Sequence, residues 1–323
     1  MQLQPCDDAV RSSQSVVHCP SSDVILADGT RRNLDSLDPG ALKALQWEQE
    51  QAFVRRILAA PKGSRRRTEI TCQAYDTVTR IVAHMEGIPS RPLVMGLDAR
   101  YEQLVVRLLQ HQKARGLTPR FFEIGYAGGA LLKQVSARGF PVAGIEVSSL
   151  MHEEACRLLG PTHAENLLVG DFAGGAFGGG EPRYSMVYWN DVFEHIPPDE
   201  ILDYLRKIHG LLVPGGLLVT ITPNWHIRPS DVTGDLCPPR TEAAGLHLKE
   251  YTLREVTGLL GRAGFRRVRV PLFLTHRRIV LWGDGLAAVK QLFEPSLEWL
   301  PFPLADILCR GFGLSCTIAA RGD

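Results

Sequence analysis

The seven cysteines of this chain are scattered, odd in number and contain no Cys-x-x-Cys pair, so neither a disulfide framework nor a zinc site is indicated and no metal is expected. Charge of one sign is also lacking. Lys and Arg total 36 against 35 for Asp and Glu, a net charge of +1. A nucleic-acid-binding domain would usually carry a strong basic stripe, so no nucleic-acid partner is expected. No run is apolar enough to span a membrane, and the N-terminus, from Met1 to Asp7, has no signal-peptide core; cytoplasmic residence is the expectation. Internal repeats and coiled-coil heptads are absent as well.

What is present is an ordered series of buried strands that end in polar turns. Phe121-Phe122-Glu123-Ile124 is an apolar run, followed by Gly125-Tyr126-Ala127-Gly128-Gly129 and a helix start. Small residues in such a turn let backbone N–H groups approach a ligand closely. Glu123 places a carboxylate at the carboxyl end of the strand, where open α/β sheets bind ligands. A nucleotide-like cofactor follows.

The next strands repeat the pattern. Gly139 to Ser148 contains a second apolar run that ends in Glu146, near the spacing of about 20 residues expected for a ribose-binding acid. Leu168-Val169-Gly170 leads to Asp171 and Phe172, a carboxylate for an exocyclic amine beside a ring able to stack on adenine. Tyr184 to Asn190 is a fourth strand, followed by Asp191-Val192-Phe193-Glu194-His195-Ile196 and then Pro197-Pro198, placed to start a helix. Val213-Pro214-Gly215-Gly216 turns into a fifth strand.

With these motifs in order, the chain resembles the class I S-adenosylmethionine (SAM) dependent methyltransferases, especially the small-molecule branch that includes ubiquinone-biosynthesis type enzymes. The likeness runs from about Asp98 to the C-terminus. It implies a Rossmann-like, doubly wound α/β fold with a seven-stranded sheet whose last strand is antiparallel, preceded by an N-terminal helical cap. The implied division is residues 1–95 for extension and cap and 96–323 for the SAM-binding domain. The resemblance further implies that Glu123, Gly125 and Gly129 hold the methionine part of SAM, Glu146 its ribose, and Asp171 and Phe172 its adenine. Tyr126, Val147 and Asn190 adjoin these motifs and complete the cofactor set. One departure is Ala127, where the family usually has its middle glycine. A negative φ there would accommodate the methyl group.

Methyl transfer from a sulfonium is an in-line displacement, so positioning the acceptor supplies much of the acceleration. An alcohol or phenol acceptor is helped by a general base, commonly His. His247, His195 and Asp191 are the candidates. His195 can equally be structural, bonding a neighbouring loop. His247 precedes a helix that Thr252 and Glu255 should open with a capping box.

The stretch from Pro223 to Glu250 is long for a strand-to-helix connection and carries Trp225, His226, Arg228, Asp231, Asp235 and Cys237, so it is a candidate acceptor wall. Trp225 and Arg228 alone read as packing and solvated charge. Tyr126, Tyr188, Trp189 and Phe193 are candidates for cation–π contact with the sulfonium, against a competing role as core.

At the N-terminal end, positions 1–38 read as polar and irregular. Asp38-Pro39-Gly40 starts a helix through about Ala59, and a second runs from Thr68 to Met85 before Gly87-Ile88-Pro89. Arg65-Arg66-Arg67 lies between them and reads as solvated surface or, less simply, an anion contact. Near the C-terminus, Arg254 to Ala263 is a helix, Phe265 to Leu274 a sixth strand and Leu314 to Ala319 the last. The connector 283–311 is apolar enough to line a lipophilic acceptor site, to form a homodimer face or to pack on the sheet.

Two other functions compete. A nicotinamide dinucleotide oxidoreductase needs G-x-G-x-x-G, yet those positions hold Gly125, Ala127 and Ala130. A non-catalytic SAM-binding scaffold is the second. The reading favoured is methyl transfer to a hydroxyl or carboxyl oxygen of a small-molecule biosynthetic intermediate.

Overall fold

The computed structural model describes residues 22–87, 98–174, 183–275, 278–280 and 285–322. It opens with an antiparallel hairpin, β1 (Asp23–Ile25) and β2 (Arg31–Asn33), closed at Asp28-Gly29. The Asp28 carboxylate accepts from the Thr30 amide at 2.8 Å, and Gly29 supplies φ of 89°. This corrects the reading of 1–38 as irregular over residues 22–38; Asp-Gly is a turn signal that the polar composition hid. Cys6, like the rest of 1–21, lies outside the described residues.

Two long helices follow. α1 (Pro39–Ala59) is capped by Asp38, whose side chain accepts from the Ala41 amide, with Pro39 at the first helical position. α2 (Arg65–Met85) starts three residues earlier than expected because Ser64 caps it through the Arg67 amide. Phe53, Ile57, Ile70, Ala74 and Val78 bind the pair together. α3 (Ala99–Ala114) begins at the Asp98 cap. The expected break at Ile88-Pro89 lies outside the described residues.

The remaining elements are β3 (Phe121–Ile124), α4 (Ala130–Ser136), β4 (Val142–Glu146), α5 (Ser149–Leu159), α6 (Pro161–Ala164), β5 (Leu167–Val169), β6 (Tyr184–Asn190), α7 (Ile201–Leu211), β7 (Leu212–Ile221), α8 (Leu253–Arg262), β8 (Phe265–Arg269), β9 (Leu272–Phe273), β10 (Ile279–Val280), α9 (Gly285–Phe293), α10 (Phe302–Phe312) and β11 (Cys316–Arg321). Among the described residues the main sheet has seven strands in the order β5-β4-β3-β6-β7-β11-β8. β5, β4, β3, β6 and β7 are parallel; β11 is antiparallel to both β7 and β8, between which it lies.

The period of two in a strand divides the core. Phe121, Tyr188 and Val219 face α3, α4 and Ala155 of α5, whereas Phe122, Trp189 and Leu218 face α7 and α8. The order reverses at β3, with β4 on one side and β6 on the other, which opens a crevice at the strand carboxyl ends.

Several local expectations shift. Pro197-Pro198 forms a turn before α7, which begins at Ile201. The sixth strand stops at Arg269, and Leu272–Phe273 pairs instead with Ile279–Val280. In the connector, Ala287, Lys290, Leu297, Ala305 and Cys309 pack inward, while Val289, Leu292, Phe293, Leu304, Ile307 and Trp299 are exposed, Trp299 at 89%.

Candidate active site

The glycine turn after β3 has a backbone that explains its composition. Gly125 has φ of 70°, and a Cβ on it would lie 2.5 Å from Val192 Cγ2. Gly129 caps α4 at φ of 79°, where a Cβ would meet the Ala155 Cβ at 2.9 Å. The negative φ that would accommodate the Ala127 methyl group is not found: the residue sits at φ of 46°, in the left-handed region that L residues enter at a cost. It is held there because its amide donates to Glu146 Oε2 at 2.7 Å. Asp191 after β6 is left-handed too, at φ of 52°.

These turns border a cavity of about 710 Å³, within the range of about 300–1,000 Å³ usual for cofactor and ligand sites. The sheet contributes Glu123, Gly125, Tyr126, Ala127, Glu146, Val147, Asp171, Phe172, Asn190, Asp191 and His195. The cap adds Glu50, Tyr75 and Val78, and the loop between β7 and α8 adds Asp231 and His247. All twelve residues read from the sequence as site candidates meet here except Gly129, which acts one step back by letting α4 pack on α5.

At the carboxyl end of β3, the buried Glu123 carboxyl leaves Oε2 without a hydrogen-bond partner. Burial, reinforced by the charge of Glu146, pushes its pKa well above the usual carboxylate range. Glu146 accepts from Ala127 and Ser148 amides, one on each oxygen, at 2.7 and 3.0 Å. A carboxylate has about four lone-pair sites, so both oxygens can still accept from hydroxyls. Asp171 is bonded by Tyr204 Oη at 2.6 Å and Thr68 Oγ1 at 3.1 Å. Phe172 packs in the core against Tyr204, with the Lys207 ammonium 4.8 Å above its ring, and still borders the cavity.

The opposite end gathers two imidazoles and several acids. The His195 Nδ1–H donates to the Leu246 carbonyl at 2.9 Å, the loop bond anticipated for a structural histidine, yet the ring also borders the cavity. Its edge meets His247 with ring centroids 4.7 Å apart. The His247 Nδ1–H donates to Glu250 Oε1 at 2.9 Å, and its Nε2 lies 3.8 Å from Glu194 Oε1. Burial lowers the His195 pKa, with the charge of His247 adding to it. Burial also works downward on His247, but the Glu250 hydrogen bond and the charges of Glu194, Glu250 and Asp231 outweigh it and raise the group. Glu194, fully buried, is pushed up by its burial.

Some sequence candidates land elsewhere. Tyr188, Trp189 and Phe193 are core residues away from the cavity, so of the aromatic set only Tyr126 borders it; Tyr75 from α2 and Tyr204 from α7 are aromatics the sequence did not reveal. His226 and Arg228 turn away and bind Glu298 of the connector, at 2.9 and 3.1 Å, while the Arg228 guanidinium stacks 3.9 Å over Trp225. Among the described residues of the connector none borders the cavity, which counts against the lipophilic-acceptor reading. Glu50 was also missed: it lies among Gln46, Gln49 and Phe53 on the buried side of α1 and accepts from the Leu246 amide at 2.9 Å.

The sheet order, the antiparallel β11 and the acid-tipped crevice define a class I SAM-dependent methyltransferase, and a methyltransferase-domain family model matches residues 96–270, over half of the chain. The chain belongs to that family, whose methyl donor is SAM. No curated protein matches it. Among solved structures it is similar to 1,6-didemethyltoxoflavin-N1-methyltransferase of Burkholderia thailandensis, with 16% identity over 75% of this chain and 85% of that one and a TM-score of 0.43. It is also similar to magnesium protoporphyrin IX methyltransferase of Synechocystis, at 15% identity over 88% of this chain and 100% of that one, TM-score 0.42. Phosphoethanolamine N-methyltransferase 2 of Haemonchus contortus is 14% identical over 69% of this chain, TM-score 0.42; the match spans about half, 53%, of that enzyme. Among the described residues no helix is long and apolar enough to cross a membrane.

Proposed function

We propose that this chain methylates a hydroxyl oxygen of a small molecule held between the cap and the β7–α8 loop. SAM supplies an electrophilic methyl group on sulfonium. The chain's residues fit that donor: Glu123 offers an unpartnered buried carboxyl at the strand end, Glu146 offers acceptors for ribose hydroxyls, and Asp171 with Phe172 borders the place for adenine. Tyr126 and Val147 form the wall between them, and Asn190 with Asp191 marks the end nearest the acceptor.

The observation that carries the acceptor reading is the charge of the cavity wall. Glu50, Asp191, Asp231 and Asp235 line it beside His195 and His247, and no Lys or Arg does so among the described residues. A carboxylate acceptor would meet like charges, so the carboxyl alternative is set aside in favour of a hydroxyl. The same acids would also suit an amine, which is the second reading. His247 and Asp191 are the groups within reach of an acceptor proton, with Glu250 orienting the His247 ring.

The test is label transfer from SAM to a panel of phenols, alcohols, amines and carboxylic acids. Label on hydroxyl compounds supports the proposal, label confined to amines replaces it with the second reading, and label on carboxylates overturns the charge argument. Binding of S-adenosylhomocysteine with no acceptor methylated throughout the panel would favour the scaffold.

A further inference from the structure

We propose that Glu194, His195 and His247 form a binding site for one divalent cation at the acceptor end of the crevice. One donor atom from each of the three residues lies within 4.8 Å of the others. No ligand spacing marks this site in the chain: Glu194 and His195 are adjacent in a turn after β6, whereas His247 comes from the loop before α8. The two segments are joined by the Lys249 amide, which donates to the Glu194 carbonyl at 3.2 Å.

Each ligand candidate is already oriented by a second partner. His195 and His247 both use Nδ1 on an acceptor, the Leu246 carbonyl and the Glu250 carboxylate, and Nε2 is the nitrogen that remains on each ring. Ligating histidines generally have this arrangement, since an acceptor on the far nitrogen fixes ring orientation and raises ligand basicity. Glu194 Oε2 accepts from Thr222 Oγ1 at 2.9 Å, which leaves Oε1 fully buried without a hydrogen-bond partner. A buried carboxylate oxygen with no hydrogen bond, 3.8 Å from His247 Nε2, has a cost in the bare protein and a use with an ion.

The donors, now within 4.8 Å of one another, would draw together on an ion. Donors on a common ion at about 2.0–2.2 Å sit roughly 3–3.5 Å apart. The 3.8 Å between His247 Nε2 and Glu194 Oε1 is only slightly longer. Two imidazoles and one carboxylate suit Mn²⁺, Fe²⁺, Co²⁺ or Zn²⁺ better than Mg²⁺, and three protein ligands leave positions open. Because His195 and His247 border the cavity, the open positions face it. An acceptor hydroxyl bound there would have its pKa lowered, its proton passing to Asp191 or to solvent; with the ion in place His247 would act as a ligand and no longer as the base. This use of the ion rests on the methyltransferase reading above, but its binding does not, and the two are measured separately. The proposal replaces the expectation of a metal-free site.

The test is titration of chelator-treated full-length protein with Mn²⁺, followed by electron paramagnetic resonance and calorimetry, with Zn²⁺ and Mg²⁺ in parallel. S-adenosylhomocysteine binding is measured on the same samples. The expected result is one Mn²⁺ per chain, weakened at least about tenfold in His195→Ala and Glu194→Gln. Glu250→Gln, which changes no ligand but the group that accepts from His247 Nδ1–H and the Ser230 amide, should weaken it by roughly 10–100-fold. Absence of a stoichiometric ion, or unchanged affinity in a His195→Ala/His247→Ala variant that still binds S-adenosylhomocysteine, overturns the site. Should that variant not fold, unchanged Mn²⁺ affinity in the isosteric Glu194→Gln does the same. Mn²⁺ binding without S-adenosylhomocysteine binding would keep the ion and remove the methyltransferase role.

Discussion

Arg67 of α2 and Glu200 before α7 form a buried ion pair, Nη1 to Oε1 at 2.8 Å, that joins the N-terminal helices to the sheet domain. The same guanidinium reaches Asp199 at 2.9 Å and the Ala60 carbonyl through Nε at 3.0 Å. Arg67 thus departs from the solvated basic run that its neighbours suggested; Arg65, exposed and paired with Glu69, fits it. Removing one partner of such a pair leaves the other charge buried. Arg67→Ala should destabilise the protein by about 3–5 kcal/mol. Denaturant unfolding should also show a smaller loss in Arg67→Ala/Glu200→Gln than the single losses added together.

Ala127 sits in a glycine conformation, at φ of 46°. Ala127→Gly relieves about 1–2 kcal/mol of left-handed strain and returns part of that as extra unfolded-chain entropy, for a net gain of order 0.5–1 kcal/mol. The melting midpoint should rise and S-adenosylhomocysteine binding should be kept. Gly129→Ala should act in the opposite direction, since its methyl group would enter the contact with Ala155.

Stability should fall as pH rises through the weakly acidic range, because Glu123 is held neutral by burial, with Glu146 adding to the shift. Its folded pKa lies above its unfolded value, so the protonated form favours the fold below about 4.5. That advantage is lost as the unfolded chain ionises and the folded one does not. Glu123→Gln keeps the neutral shape and should flatten the decline between pH 5 and 7. An unchanged slope in thermal melts across that interval would assign the dependence to other groups.

Cofactor and acceptor functions should separate by variant. Asp171→Ala and Glu146→Ala should weaken S-adenosylhomocysteine binding, the second also loosening the Ala127 turn through the lost 2.7 Å bond. His247→Ala should cut turnover by about 10²-fold or more with S-adenosylhomocysteine affinity nearly unchanged, as expected for a group acting on the acceptor side. Full activity in His247→Ala would remove it from the mechanism.

The strand-end acids were legible because buried strands have a clear apolar signature and their last residue is fixed by the turn that follows. Glu146 is the last residue of β4, Glu123 lies one residue before the end of β3 and Asp171 two residues after β5. Thr252 with Glu255 was equally legible, since a capping box is a local motif, and both of its bonds are present. The cap contributions were not: Glu50 and Tyr75 are distant in sequence from the strands they meet, and nothing in their neighbourhood marks them as facing a cavity. The pairing of Glu194 with His247 depends on how a long irregular loop returns over the sheet. Trp189 and Phe193 failed as site aromatics for a different reason, because an apolar ring beside a functional turn satisfies core packing and ligand contact equally well in one dimension.

The crevice has two walls of different construction. Strand ends, locked into the sheet by register, carry the acids assigned here to the donor; α1, α2 and the β7–α8 loop carry Glu50, Tyr75, Asp231 and His247 and are additions to that frame. Substitutions in the additions can therefore change which compound is accepted while the donor half persists unaltered. On the proposed function, donor binding is then tied to the hydrogen-bonded register of the sheet, and acceptor choice to segments that are only packed against it.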